Sequence, residues 1–316
     1  MGEEIAMTLR LAAVAALACA FALPAQAQTY RMMTGPQGGV WVPLGGALKN
    51  LWEAAIPGVT VQTLPGAGIA NVRGVDEDKA EIGFGNSIST VDGVAGREPF
   101  PRKTANVCQL ATLYPQYFQV VANADAGIAT VADLKGKSIA IQTRGNTAEL
   151  ITRQLLEAAG MSYRDVRPNF QASYTDAVGL LKDGHAQVFT LGTTIPASSV
   201  MDLAVSRTIK LVDLGPVIEP MRKLNSGYYA IPLPAGTYPG QAQPVTKIGY
   251  AAHLVASCKL PEDHVFRMLK AVADNLPALV AVNKAIQGVT PKEMAQDIGV
   301  PFHPGATRFY RQAGVM

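Results

Sequence analysis

The string Thr143-Arg144-Gly145-Asn146-Thr147 sets a guanidinium beside the first residues of a helix that apolar spacing places over Thr147–Ala159. The first N–H groups of a helix lack internal partners and carry the positive end of its dipole, so this loop can take an anion. Arg144 can grip a carboxylate through two parallel hydrogen bonds; a solvated surface arginine is the alternative. Asn86-Ser87 follows the apolar run of Glu81–Asn86, and both side chains can donate to a ligand or cap the next helix. In the loop Gly35–Trp41, which contains Gln37, the glycines Gly38 and Gly39 let backbone approach a ligand, and Trp41 offers an apolar wall or a core aromatic. Thr193 and Thr194 follow a buried strand, facing a ligand or capping before Pro196. Tyr114 stands where two strand-like runs join, in reach of a ligand or packed in a hinge.

Bond-making chemistry has no such footing. His185, His253, His264 and His303 are scattered, with no His-Glu-x-x-His motif and no Gly-x-Ser-x-Gly elbow. Cys108 and Cys258 have no metal-ligand neighbour at Cys-x-x-Cys or Cys-x-x-His spacing and read as two small buried apolar residues, with pairing left open. The residues therefore describe a binding protein, not an enzyme, with no cofactor and no metal. Among 316 residues, 27 are Lys or Arg and 24 Asp or Glu, a net charge of +3 without a dense basic block. That excludes a nucleic-acid surface and suits an anionic ligand weakly.

The elements that must hold these loops alternate. Tyr30–Gly35 is a strand, Pro43–Ala55 a helix with Leu44, Ala47, Leu48, Leu51 and Ala55 on one face, and Val59–Leu64 a strand. Asn106–Asp125 gives two β-like runs hinged at Tyr114-Pro115, which can carry the chain between lobes. Further α/β cycles follow, with Tyr174–Lys182 helical and Ala186–Gly192 a buried strand. The Pro/Gly-rich Tyr228–Pro244 reads as a return crossing, and the C-terminal part is mainly helical. The class is α/β in two lobes: 28–113 with 247–316, and 114–246 inserted between them, with a ligand cleft where they meet.

Leu11–Leu23 is an apolar run followed by Ala25-Gln26-Ala27, the pattern of a cleavable export signal ending at Ala27. It is too short to span a membrane. Glu3 and Glu4 sit where positive charge belongs, which favours Met7 over Met1 as the start; a lipoprotein reading through Cys19 competes.

Several strings resemble the TAXI class of periplasmic receptors that serve TRAP transporters: Thr34–Leu48, Glu81–Ser87, Leu110–Val121, Val131–Ile141, Ile231–Gln241 and Pro301–Arg311. The resemblance spans nearly all of the chain after Ala27. It implies a type II periplasmic-binding-protein fold, location in the periplasm, and delivery of a glutamate-like amino acid or small dicarboxylate, by a monomer, to an integral-membrane TRAP permease. Pro36-Gln37, Val40-Trp41-Val42, Gly83–Thr90 and Gln142–Glu149 depart from the usual loops of that class, and these loops would face the cleft. An ABC importer or a sensor kinase could use the same lobes, and hydroxymethylbilane synthase is the enzyme of similar architecture, with Cys258 as the residue that would hold a cofactor.

Overall fold

Trp41, Leu44, Gly45, Leu48 and Trp52 form the buried face of α1 (Trp41–Ala55), which recurs at the helical period and lies on a sheet. Trp52 anchors that face: it is fully buried, and its Nε1 donates to the Met268 carbonyl at 3.2 Å. The helix begins two residues before Pro43, because proline is tolerated in a first turn where its missing N–H is not needed. The computed structural model describes residues 28–316; residues 1–27, to which the export signal is assigned, lie outside the described residues.

Ten strands form one sheet: β1 (Gln28–Met33), β2 (Val59–Leu64), β3 (Ile82–Asn86), β4 (Cys108–Asn123), β5 (Ser138–Gln142), β6 (Arg167–Gln171), β7 (Val188–Thr193), β8 (Ile209–Leu211), β9 (Tyr229–Leu233) and β10 (Val245–Ala256). After α1 come α2 (Gly68–Asp76), α3 (Ser87–Ala95), α4 (Thr147–Ala158), α5 (Tyr174–Lys182), α6 (Ser198–Ser206), α7 (Ile218–Leu224), α8 (Glu262–Asp274), α9 (Leu276–Val282), α10 (Pro291–Met294) and α11 (Pro304–Gln312). The strand order β2-β1-β3-β10-β4-β7-β5-β6 divides into two similar halves. In each half three parallel strands are bordered by one long antiparallel strand, β10 in the first and β4 in the second. Each bordering strand arrives from the other half, so β4 and β10, paired along most of their length, are the two connections between lobes. This repeated path has no counterpart in repeated sequence.

The first lobe packs Tyr30, Trp52, Phe84, Leu110, Met268 and Tyr310 into one core, which the C-terminal helices complete. In the second lobe, Phe118, Ile139, Leu155 and Val188 lie on one face of the sheet, while Phe189, Leu191, Leu203 and Tyr238 lie on the other. The α/β class and the two-lobed arrangement agree with the sequence reading.

Three local readings change. The expected break at Tyr114-Pro115 is absent: β4 runs through it without interruption. Pro115 pairs with Ala251 of β10, whereas the pairing of β4 with β7 begins only at Tyr117, so proline occupies a stretch whose outer edge has no strand to bond. Tyr228–Pro244, read as the return crossing, contains β9 and the turn into β10; β10 itself makes the crossing. Cys108 and Cys258 are disulfide-bonded, not two free buried thiols, because the register that sets Ala256 opposite Cys108 brings their Cα atoms to 5.1 Å.

Candidate functional site

The carboxyl ends of β1, β3, β5 and β7 all point to the seam between the lobes, where ligands bind in open α/β sheets. A cavity of about 20 Å³, room for little more than one water, lies there in this conformation. Pro36, Gly39, Val40, Trp41, Gly68 and Asn86 wall it from the first lobe, and Asn146, Ala148, Tyr174, Gly192 and Thr193 from the second. Its floor is the strand pair itself, through Gln116 of β4 and Tyr250 of β10, which sit opposite each other in register.

The lobes meet around this cavity. Tyr174 N donates to the Gln37 carbonyl at 3.0 Å, Ala70 N donates to the Gly145 carbonyl at 2.9 Å, and the hydroxyls of Ser89 and Thr147 lie 3.2 Å apart. Gly68 permits the closest approach: a Cβ there would stand 2.3 Å from Thr147 Oγ1. The cleft is shut.

Among the described residues, no charged side chain lines the cavity. What faces it is the start of helices. Trp41 and Gly68 are the first residues of α1 and α2, Asn86 precedes α3, Ala148 lies in the first turn of α4, and Tyr174 begins α5. The N-termini of α1, α2 and α3 have no side-chain cap. Asn86, which could cap α3, instead accepts from Gln116 Nε2 at 3.0 Å through Oδ1. Asn146 does cap α4, accepting from Ala148 N at 2.8 Å. Each helix start is worth about 1 kcal/mol to a nearby anion, so several together supply roughly 3 kcal/mol, about a hundredfold in affinity.

The aromatic walls are neutral too. Trp41 stacks on Phe84 with ring centroids 5.1 Å apart, which makes it both a core aromatic and a cavity wall. Its indole Nε1 is buried without a hydrogen-bond partner. Tyr174 donates from its hydroxyl to the Gly192 carbonyl at 3.0 Å, and burial pushes the phenols of Tyr174 and Tyr250 far above their ordinary range. The cavity therefore keeps one charge state across the physiological pH range.

The sequence candidates divide. Gly39, Trp41, Asn86, Asn146 and Thr193 line the cavity. Gln37, Gly38, Gly145 and Thr147 are brought to the interlobe seam instead: Gln37 and Gly145 through their carbonyls, Gly38 by receiving Ser198 Oγ at 3.5 Å, and Thr147 through Ser89. Arg144 is exposed and outside the lining, because its loop turns the side chain to solvent while the backbone after it enters α4. Ser87 Oγ accepts from Ala251 N at 3.1 Å and faces the other side of the sheet. Tyr114 shares the Gln116 face of β4 but stops short of the cavity, its hydroxyl buried beside Trp41 and Asn283 without a well-formed hydrogen bond. Thr194 is buried but does not reach the cavity. Pro36 and Val40 were noted only as parts of a loop expected to face the cleft, and Gly68, Gln116, Ala148, Tyr174, Gly192 and Tyr250 were not singled out by sequence. For Gln116, its place directly after Tyr114-Pro115, where the chain was expected to cross between lobes, was the available signal.

Residues 32–314, nearly all of the described chain, match the family described as NMT1-like. The chain belongs to the NMT1-like family. Among solved structures, this NMT1-like chain is similar to the periplasmic binding protein BugD, at 14% identity over 91% of this chain and 94% of that one, with a TM-score of 0.55. It is also similar to PhnD1 from Prochlorococcus marinus in complex with methylphosphonate, at 12% identity over 92% and 100% with a TM-score of 0.54. A third, a periplasmic transporter, is 16% identical over 92% and 96%, with a TM-score of 0.54. At these identities the likeness establishes the fold, that of the periplasmic solute-binding proteins.

Proposed function

We propose that the protein is an extracytoplasmic receptor that closes over a small organic anion and hands it to a membrane permease. The observation that carries this reading is the convergence of helix N-termini on a shut interlobe cavity with no charged side chain. Backbone donors and dipoles hold the anion, and Gln116, Asn86 and Thr193 fix its orientation. Glutamate-like ligands fit less well than acids without an amino group, because no Asp or Glu lines the cavity to pair with an ammonium. PhnD1, which shares the fold, is in complex with methylphosphonate, a small anion without an amino group.

The Cys108–Cys258 disulfide supports an oxidising compartment, in keeping with the export segment before Ala27. A TRAP-type permease is the partner that the TAXI-like strings favour, and the receptor works as a monomer. The same fold also serves ABC importers, and a neighbouring gene for a many-helix permease separates the two. For the ligand, a thermal-shift screen should compare small carboxylates, sulfonates and phosphonates with amino acids and neutral sugars. Acids without an amino group are expected to raise the melting temperature most, by a similar amount at pH 6 and pH 9. Arg144→Ala should leave the affinity within about twofold, since its side chain is outside the cavity. A neutral sugar as the best ligand, or a large loss in Arg144→Ala, would refute the reading.

A further inference from the structure

Gln116 and Tyr250 point from the crossing strands into the shut cavity. Successive residues of a strand point to opposite faces, so the next pair, Pro115 and Ala251, projects from the other side of the sheet. There the pair forms the floor of a second interlobe space, an open groove of about 630 Å³. Ile88, Val91 and the segment Gln287–Ile298 wall it from the first lobe. Asn225–Gly227 and Tyr229 wall it from the second. The same two strands thus separate a closed space from an open one, and both spaces have walls from both lobes.

We infer that this groove is the mechanical counterpart of the cleft, so that whatever fills it holds the cleft shut. The lobes turn about β4 and β10, and a rotation that widens one side of this pair narrows the other. Opening the cleft must therefore drive Asn225–Tyr229 toward the first-lobe wall. One edge of the groove is already at contact distance: Asn225 Nδ2 donates to Asp92 Oδ2 at 3.1 Å, and a Cβ on Gly227 would meet Ile88 Cγ2 at 2.9 Å. Away from that edge the groove is empty space into which the second lobe can move. Volume added there penalises the open form alone. By the reciprocity of linked equilibria, it also tightens any ligand that favours closure.

Ser226 and Gln287 line the groove from opposite lobes, are exposed, and take no part in the cavity wall. The test measures distances between spin labels attached at Gln62, in the first lobe, and Arg144, in the second, without ligand, by pulsed electron resonance. Ser226→Trp and Gln287→Trp should each raise the ratio of short to long distances by about threefold or more. Joining Ser226→Cys to Gln287→Cys with a short thiol cross-linker draws the groove closed and should shift the distribution to long distances. Each variant is checked for an unchanged far-ultraviolet spectrum. Distributions that stay unchanged in both tryptophan variants, or that move in the same direction in wedge and cross-linked forms, overturn the inference. Because no ligand is present, this outcome is independent of whether the cavity binds an anion.

Discussion

Gly68→Val is expected to abolish ligand binding, with affinity falling by about a hundredfold or more, while the protein stays folded. Gly68 opens α2 at the cavity, and a Cβ on it would stand 2.3 Å from Thr147 Oγ1 of the other lobe and 2.5 Å from Asn86 Nδ2. The Asn86 amide can turn aside only by giving up its bond to Gln116. The Thr147 contact is relieved by keeping the lobes apart, which costs the fold little because the two cores do not depend on it. A substitution that is tolerated open and forbidden closed removes binding without removing structure. Adding Thr147→Ala should recover part of the affinity. Calorimetric titration with the acid that gives the largest thermal shift, alongside melting curves, checks both statements. Full-affinity binding by Gly68→Val would mean that the ligand is held without this closure.

Reduction of the Cys108–Cys258 disulfide is expected to lower the unfolding free energy by about 2–5 kcal/mol. The two residues are 150 apart in sequence, and the loop that they close contains the whole second lobe. Loop-closure entropy of a segment that long is near the upper end of what one cross-link supplies, about 5 kcal/mol in the chain-entropy picture. The bond also ties the start of β4 to the end of β10, next to the register irregularities at Ala252/His253 and Leu254/Val255, where the ladder is locally weaker. For a chain of this size the loss corresponds to a fall in melting temperature of roughly 3–8 °C. Scanning calorimetry with and without reductant, and on Cys108→Ser, reads it. A reduced protein that melts with the oxidised one would show that the bond constrains nothing.

What the sequence disclosed follows the range of the signals. Helical periodicity in Leu44, Leu48 and their neighbours is local, and so α1 was legible to within two residues. The loops after β1, β3, β5 and β7 were legible as binding loops because glycine, asparagine and threonine after an apolar run mark a strand end wherever it occurs. Arg144 drew attention as the one guanidinium among them, yet the cavity uses backbone donors, which every sequence possesses and none advertises. Gln116 and Tyr250 became neighbours only through the antiparallel register of strands more than a hundred residues apart. Tyr174 and Gly192 likewise needed the second lobe assembled before they could face Trp41. The disulfide depends on the same register, which spacing along the chain does not encode. The repeated strand path of the two lobes was hidden because backbone geometry repeats while side chains do not.

The central claim is that helix starts, and not a charged side chain, hold the anion. Backbone amide spectra of nitrogen-15-labelled protein, recorded while the best acid of the screen is titrated, address it directly. The largest shifts are expected at Trp41, Gly68 and Ser87, in the uncapped first turns of α1 to α3. Shifts confined to the Arg144 side chain and its exposed loop, with those three amides unmoved, would contradict it.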